Sequence, residues 1–290
     1  VIPRRNWTAG TVYDIYRHDY GEYTTGSTSV RKTSNSGATT LFDATFYVLS
    51  SARNVYKCLD NNGNSASTDE PTGVSTSVIT TTDGYKWKFM YTLSAAQQAN
   101  FLSTDFMAVS PNSNPSSDQS NVISAAVDGA IDIVKIKSAG SGGTNGTFTN
   151  VPIRGDGSGG LATVVVGGGQ VTSVTVTTPG TGYTFATISN AQIVSAGATN
   201  LAGSELDVII PPKGGHGANA QKELGAFFVM MNTSLEGTES ANSGDFSAVN
   251  DFRKIALFRN PTKSNSAVTS NTARLTKAIK IASSPTPGTF

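Results

Sequence analysis

The chain has little of what most catalytic and metal sites are built from. Its 290 residues include one cysteine, two histidines and only 14% charged residues. The single cysteine excludes an intrachain disulfide framework and a cysteine-rich metal site. The 21 basic and 20 acidic residues give a net charge of +1 without a long block of one sign. We therefore expect no nucleic-acid partner, and the longest apolar runs, such as 225–231, are too short to predict membrane insertion.

Neither histidine has a companion at metal-ligand spacing. His18 lies in an aromatic and charged run, where a surface or interface hydrogen bond is the expected role. His216 lies in the glycine-rich sequence GGHGAN, where it is either a metal ligand or base, or an ordinary loop residue. Cys58 stands in a predicted strand and is expected to be a small buried apolar residue. We predict no catalytic residue, no metal site and no cofactor, and hence no enzyme.

The acidic residues also predict neither a metal site nor a catalytic site. The run 155–160, GDGSGG, has the composition of a phosphate or calcium turn, but it lacks the Lys-Ser/Thr pair of a P-loop and the repeated Asp of a calcium loop. A plain turn is therefore predicted. A polysaccharide-cleaving enzyme would need two carboxylates in a cleft, and an activity screen would test Asp156, Glu205 and Asp207. We expect no activity to be lost.

What the sequence does have is abundant glycine and short alternating runs. The clearest run is 81–93, TTDGYKWKFMYTL, in which five large side chains occupy every second position. An extended chain puts all five on one face, which predicts a strand that packs into the core. These predicted core residues are Tyr85, Trp87, Phe89, Tyr91 and Leu93. The dipeptide Asp83-Gly84 tolerates the positive φ of a tight turn and predicts a hairpin just before the strand.

Other segments complete the predicted core. The stretch 252–260, FRKIALFRN, predicts a second core strand that contributes Ile255 and Leu257. Ser94 and Gln97 have the spacing of a capping box and predict a short helix. The Ser-, Asn- and Pro-rich stretch 110–121 is expected to be a connector.

From residue 132 the composition shifts toward Gly, Thr and Val, and a repeat becomes visible. Residues 133–144 align with 173–184, so that two copies of a strand followed by a glycine turn are predicted. The glycines at 167–169 predict a hairpin between the copies. The predicted fold is mainly β, with antiparallel sheets or a sandwich and a short helix. A core domain of 1–131 and 211–290 would carry an inserted small all-β repeat module at 132–210.

Four segments, taken together, resemble a known family. They are VIPRRNW at 1–7, VYKCLD at 55–60, DGYKWKFMYTL at 83–93 and FRKIALFRNP at 252–261. In this order they are similar to segments of the baseplate wedge subunit of contractile-tailed bacteriophages, the eighth-gene-product family of T-even-like phages. The resemblance implies a β-rich two-domain subunit that forms a homodimer within each wedge, contacts other wedge proteins and has no catalytic residue. The module at 132–210 has no counterpart in it.

The predicted function is therefore that of a structural virion protein of the tail baseplate, assembled in the host cytoplasm. The candidate subunit-interface residues are Arg4, Arg5, Trp7 and Tyr13, because arginines and aromatic residues are common interface anchors. The two arginines either bind a carboxylate of a partner or lie solvated beside an extended segment.

An alternative function is that of a tail-associated carbohydrate- or cell-surface-binding module. The inserted repeat would then recognise a glycan, with Tyr183 at a turn as the ring that stacks on a sugar. The first copy of the repeat has Gly143 at the equivalent position.

Overall fold

A computed structural model describes residues 1–25, 28–233 and 254–259 of the chain. The strands are β1 (Ile2–Pro3), β2 (Gly21–Thr25), β3 (Thr28–Lys32), β4 (Tyr47–Leu49), β5 (Asn54–Asp60), β6 (Ile79–Thr80), β7 (Lys86–Thr92), β8 (Phe106–Met107), β9 (Ile133–Ser141), β10 (Gly146–Pro152), β11 (Arg154–Gly155), β12 (Leu161–Gly167), β13 (Gln170–Thr178), β14 (Ala186–Thr187), β15 (Ala202–Ile209), β16 (Phe228–Thr233) and β17 (Lys254–Arg259). The helices are α1 (Ala95–Phe101), α2 (Ser117–Ala125), α3 (Asn190–Ser195) and α4 (Ala220–Glu223). The predicted class, mainly β with antiparallel sheets, is confirmed.

Two compact units share the chain. The terminal unit holds Val1–Arg4, Leu93–Val109 and the described residues from Gly225 onward. The central unit holds Arg5–Thr92 and Ser110–Leu224. The predicted boundaries at residues 132 and 210 both fall within the central unit and stay a prediction.

Strand β7 lies inside the largest sheet of the central unit, whose strand order is β4-β5-β7-β6. The alternating side chains predicted for the core are buried: Tyr85, Trp87, Phe89 and Tyr91 have no exposed surface, and Leu93 is 2% exposed. The opposite face of β7 is covered as well, since Lys88 is 6% and Met90 is 1% exposed. A strand covered on both faces has to satisfy any charge it carries inside the protein.

The turn before β7 forms as predicted. Strands β6 and β7 pair antiparallel, and Gly84 between them has a φ of 82°. The Asp83 carboxylate accepts hydrogen bonds from the backbone N–H groups of Thr68 at 2.8 Å and Asp69 at 3.1 Å. It also accepts the N–H of Tyr85 at 3.2 Å, so one side chain holds both the turn and the loop beside it.

A second core lies in the later part of the central unit, where β9 pairs with β15 and a three-stranded sheet has the order β10-β12-β13. The glycine hairpin is confirmed: β12 and β13 are antiparallel, and Gly168 and Gly169 have φ angles of 60° and 78°. These left-handed angles suit a tight hairpin, which favours glycine. The buried residues of this core include Val151, Val164 and Ile193.

Three of the four helices in the described residues, α2, α3 and α4, were not predicted. The stretch expected to be a connector contains most of α2, which starts after the N-cap Ser116 and buries Val122 completely. Helix α3 follows Ser189, whose hydroxyl accepts the Gln192 N–H in a complete capping box. Its apolar stripe is too short to stand out, because Ile193 is its one buried residue.

The predicted strand at 252–260 corresponds to β17, which pairs antiparallel with β16. Leu257 lies opposite Met230 and Ile255 lies opposite Asn232 in the register of this pair. The core assignment of the Ile255 and Leu257 side chains lies outside the described residues.

Candidate functional site

The two arginines predicted for an interface belong to different units. In the terminal unit, the Arg4 guanidinium donates to the carbonyl of Ser103 at 2.8 Å. In the central unit, Arg5 donates to the carbonyls of Ala44 and, at 3.1 Å, Asp43. Its guanidinium also lies 4.8 Å from the centre of the Tyr47 ring. Both side chains therefore have partners within their own units.

The two aromatic residues predicted for an interface lie in the central unit. Trp7 is half-buried, and its indole N–H donates to the hydroxyl of Ser67 at 3.0 Å. Tyr13 is only 4% exposed and packs edge-on against Trp87 at 5.7 Å between ring centroids. Tyr13 is thus a core residue of this unit, and Trp7 presents only part of its ring. Their role at an interface stays a prediction.

A buried ion pair lies beneath β5. The Lys57 side chain has no exposed surface and donates to the Glu223 carboxylate, which is 2% exposed. The N–H groups of Gly217 at 3.0 Å and Asn219 at 2.9 Å also donate to Glu223. Burial lowers the pKa of Lys57, while Glu223 opposes that change. A charge in this position depends on its partner, because an isolated buried charge is strongly unfavourable.

His216 lies next to this pair. It is 4% exposed, and its ring packs edge-on against Tyr16 at 4.9 Å between centroids. Burial first, and then the positive charges of Lys57 and Lys88, hold the pKa of His216 well below its usual value, so the ring is neutral. Within the described residues, its Nδ1 atom is buried without a hydrogen-bond partner. In the same part of the chain, no group of three or more His, Cys, Asp or Glu residues is arranged to hold a metal ion.

A cavity of about 650 Å³ opens beside His216 in the central unit. Lys88 and Asp132 also line it, so that a lysine, an aspartate and a neutral imidazole ring lie in the walls of one cavity. Burial raises the pKa of Asp132, and the nearby Lys88 and Lys57 oppose the change. Pockets with a few convergent polar groups of perturbed pKa are candidate binding sites.

The sequence did not single out Lys57, Lys88, Asp132 or Glu223. One signal was present, since each of Lys57 and Lys88 follows an aromatic residue within a short strand that also carries other large apolar residues. A lysine in such a strand indicates a buried partner when both faces of the strand are covered. The partner itself was not visible, because Glu223 lies 166 residues from Lys57.

The residues considered for sugar binding and for polysaccharide cleavage have hydrogen-bond or ion-pair partners within the central unit. Tyr183 is 2% exposed, and its hydroxyl donates to the carbonyl of Ile153 at 2.9 Å, so its ring is not available to stack on a sugar. Asp156 accepts the Thr184 N–H at 2.9 Å and caps a turn, and hydrogen bonds of this kind lower its pKa to about 2. Glu205 pairs with Lys137, and Asp207 pairs with Arg17 at 2.5 Å.

An apolar surface lies on β16 in the terminal unit. We call Phe227, Val229 and Met231 the apolar stripe; they alternate along the chain and are 41%, 36% and 45% exposed. The alternate residue Phe228 turns the other way and packs edge-on against Phe106 at 5.9 Å between centroids. One face of β16 therefore packs within its unit, whereas Val229 and Met231 on the other face, and Phe227 just before the strand, are partly exposed.

No family model, no curated protein and no solved structure matches this chain. In the described part of the chain, no helix has both the length and the apolar character needed to cross a bilayer. The resemblance to the baseplate wedge family therefore stays a prediction that rests on the four sequence segments.

Proposed function

We propose that this chain is a structural subunit of the baseplate wedge of a contractile phage tail. It would act through protein–protein contacts, in the virion, after assembly in the host cytoplasm. Its partners would be a second copy of itself and other wedge proteins, and no residue is assigned a catalytic role. The four ordered segments of the sequence support this proposal, and the apolar stripe is the structural observation that carries it.

The apolar stripe supports a protein partner because of its composition and its position. Phe227, Val229 and Met231 lie on one face at alternate positions, so a single flat surface can cover all three at once. Aromatic residues and methionine are enriched at the centres of protein interfaces. We commit to a second copy of the chain as the occupant, because the resemblance implies a homodimer and an isologous contact places the same stripe on both copies.

The test is the oligomeric state of the full chain, measured by size-exclusion chromatography with light scattering. We expect a dimer for the natural sequence and a monomer when Phe227, Val229 and Met231 are all replaced by serine. The matched control replaces Val74, Val127 and Phe185, which are 40%, 46% and 60% exposed in the central unit. Serine at these three positions removes a similar apolar area and should leave the dimer intact.

Two outcomes would contradict the proposal. The first is a natural chain that is monomeric at every concentration tested and does not assemble with purified wedge proteins. The second is a stripe variant that dimerises as well as the natural chain. Circular dichroism of each variant would establish that a lost dimer does not result from unfolding.

A further inference from the structure

The cavity beside His216 is built from rigid backbone. On one side lie two glycine turns, which contain Ser158 and Thr181. Each of these two residues donates its backbone N–H to the carbonyl of the other at 3.0 Å. Between them Gly180, with a φ of 68°, approaches so closely that a Cβ there would lie 2.6 Å from the Ser158 carbonyl oxygen. The rim is therefore preformed, as expected of a small-molecule site.

Lys88 from β7 also lines the cavity. Its ammonium donates to the carbonyl of Thr76 at 2.5 Å, which leaves two further N–H donors. The loop of His216 fixes its stem, since a Cβ on Gly217 would lie 3.2 Å from the Lys88 Cε atom. Lys88 thus presents a donor at a defined place in the wall.

Asp132 supplies the matching acceptor. Asp132 lines the same cavity and stands just before β9. Among the described residues no hydrogen-bond donor reaches it, and its charged neighbours are Lys88 and Lys57. Asp132 is half-buried, so its carboxyl group can accept hydrogen bonds from a ligand in the cavity.

The chemistry of the walls selects the kind of ligand. An oxyanion would bind Lys88 but would meet the carboxyl of Asp132, and a cation would meet Lys88 and the nearby Lys57. A neutral molecule with both hydroxyl donors and hydroxyl acceptors satisfies both groups. The cavity is also lined by hydroxyl side chains and by apolar side chains, namely Ser77, Val78, Val127, Ser158, Pro179 and Thr181.

We propose that this cavity binds a neutral saccharide. Adjacent sugar hydroxyls would donate to the Asp132 carboxyl and accept from the Lys88 ammonium, while the apolar patches cover the C–H faces of the ring. The neutral His216 ring lines the same cavity and adds a polar, uncharged group to its wall. The volume of about 650 Å³ lies within the range of small-ligand sites. This role is separate from the assembly role and does not use Tyr183.

The test uses the full chain and a defined panel of glucose, galactose, mannose, N-acetylglucosamine, maltose and lactose. Saturation-transfer NMR would identify binding, and isothermal titration calorimetry would give the affinity. We expect at least one sugar to bind. Asp132→Asn and Lys88→Met should each weaken binding by about tenfold or more, because each removes a hydrogen bond to a charged group.

Matched controls are available on the same unit. Lys137 and Glu205 form an ion pair whose side chains are 67% and 58% exposed, so Lys137→Met and Glu205→Gln alter similar charges outside the cavity. They should leave the affinity within about twofold of the natural chain. Thermal unfolding of every variant would show that the cavity variants are folded.

The proposal is overturned if no sugar of the panel binds, or if binding is unchanged in both cavity variants. Inorganic phosphate and ethylammonium serve as the charged probes. Displacement of the sugar by either of them at a similar concentration would also overturn it, because the cavity would then select a charge rather than hydroxyl groups.

Discussion

Strands β7 and β16 have similar apolar content but different environments. In β7 the bulky residues and the residues between them are all covered, with Trp87 at 0% and Met90 at 1% exposed. In β16 the residues on one face, Val229 and Met231, are 36% and 45% exposed. An alternating or apolar run therefore identifies a strand, while the neighbouring elements decide whether its surface stabilises the fold or remains available to a partner. Changes in the central unit should affect stability, and changes in the apolar stripe should affect association.

The largest expected effect comes from the buried ion pair. Glu223→Ala should lower the free energy of unfolding by about 3–5 kcal/mol, because it leaves the Lys57 ammonium buried without its partner. Urea denaturation measures this value. The control Glu205→Ala removes an exposed pair and should cost less than about 1 kcal/mol. A double variant, Lys57→Met with Glu223→Leu, should recover most of the loss, and failure to recover it would show that the backbone N–H groups of Gly217 and Asn219 are the main contribution.

Substitution of one methionine in each strand, Met90 in β7 and Met231 in β16, allows a direct comparison of the two strands. Met90→Ala in β7 should lower the free energy of unfolding by about 2–5 kcal/mol, because it leaves a cavity in a core that is fully covered. Met231→Ala in β16 should change the unfolding free energy of the monomer by less than about 0.5 kcal/mol, because the side chain is already 45% exposed in the single chain. The same denaturation experiment measures both, at a protein concentration low enough for the chain to be monomeric. Equal losses under this condition would mean that the stripe is part of a core and not an interaction surface.

Asp14 gives the central unit a dependence on pH. Burial acts to raise its pKa, but hydrogen bonds from Ser36 and Thr45 outweigh this and leave the pKa below its ordinary value of 3.8. Its contribution to stability is complete above pH 3.8 and is lost as the pH falls through the lowered pKa. Asp14→Asn should cost about 1.5–3 kcal/mol near pH 7, because it removes hydrogen bonds to a charged acceptor.

The difference between natural chain and Asp14→Asn should narrow as the pH is lowered toward 2, in thermal unfolding scans across that range. Asp105→Asn, at an exposed position of the terminal unit, is the control and should change the scans little. A difference that stayed constant from neutral to acid pH would contradict the assigned role of the ionised carboxylate.

The smallest expected effect compares two helices with the same cap. Ser94 and Ser189 each form a complete capping box, yet α1 buries no residue and α3 buries Ile193. Each change to alanine should cost its helix about 1 kcal/mol. Ser189→Ala should lower the global free energy of unfolding by that amount, whereas Ser94→Ala should appear only as faster amide hydrogen exchange in α1. A global loss from Ser94→Ala would show that α1 is more firmly packed than its burial indicates.

The sequence predicted the parts of the fold that depend on neighbours along the chain. The turn at Asp83-Gly84, the glycine hairpin before Gln170 and the cap at Ser94 all follow from residues within a few positions of one another. Helix α3 has the same capping signal at Ser189 and could have been found from it. The sequence of helix α2 carries a weaker helical signal, since Val122 is the only apolar residue that the helix buries.

The candidate site could not be predicted in the same way. Lys88, Asp132 and His216 come from a strand, a loop and a second loop, and their side chains converge only after the sheet and both glycine turns have formed. A lysine, an aspartate and a histidine at these spacings do not form a known sequence motif. Burial is also a property of the fold, and it is burial that distinguishes Lys88 from the half-exposed Lys86 two positions earlier.

The contact between Lys57 and Glu223 also has a consequence for co-translational folding. The two residues are separated by 166 positions, and the first of them stands in an early strand. Until the second emerges from the exit tunnel, that strand cannot enter an apolar environment without desolvating a lone ammonium. We therefore expect the packing around Lys57 to be completed only after synthesis has passed Glu223.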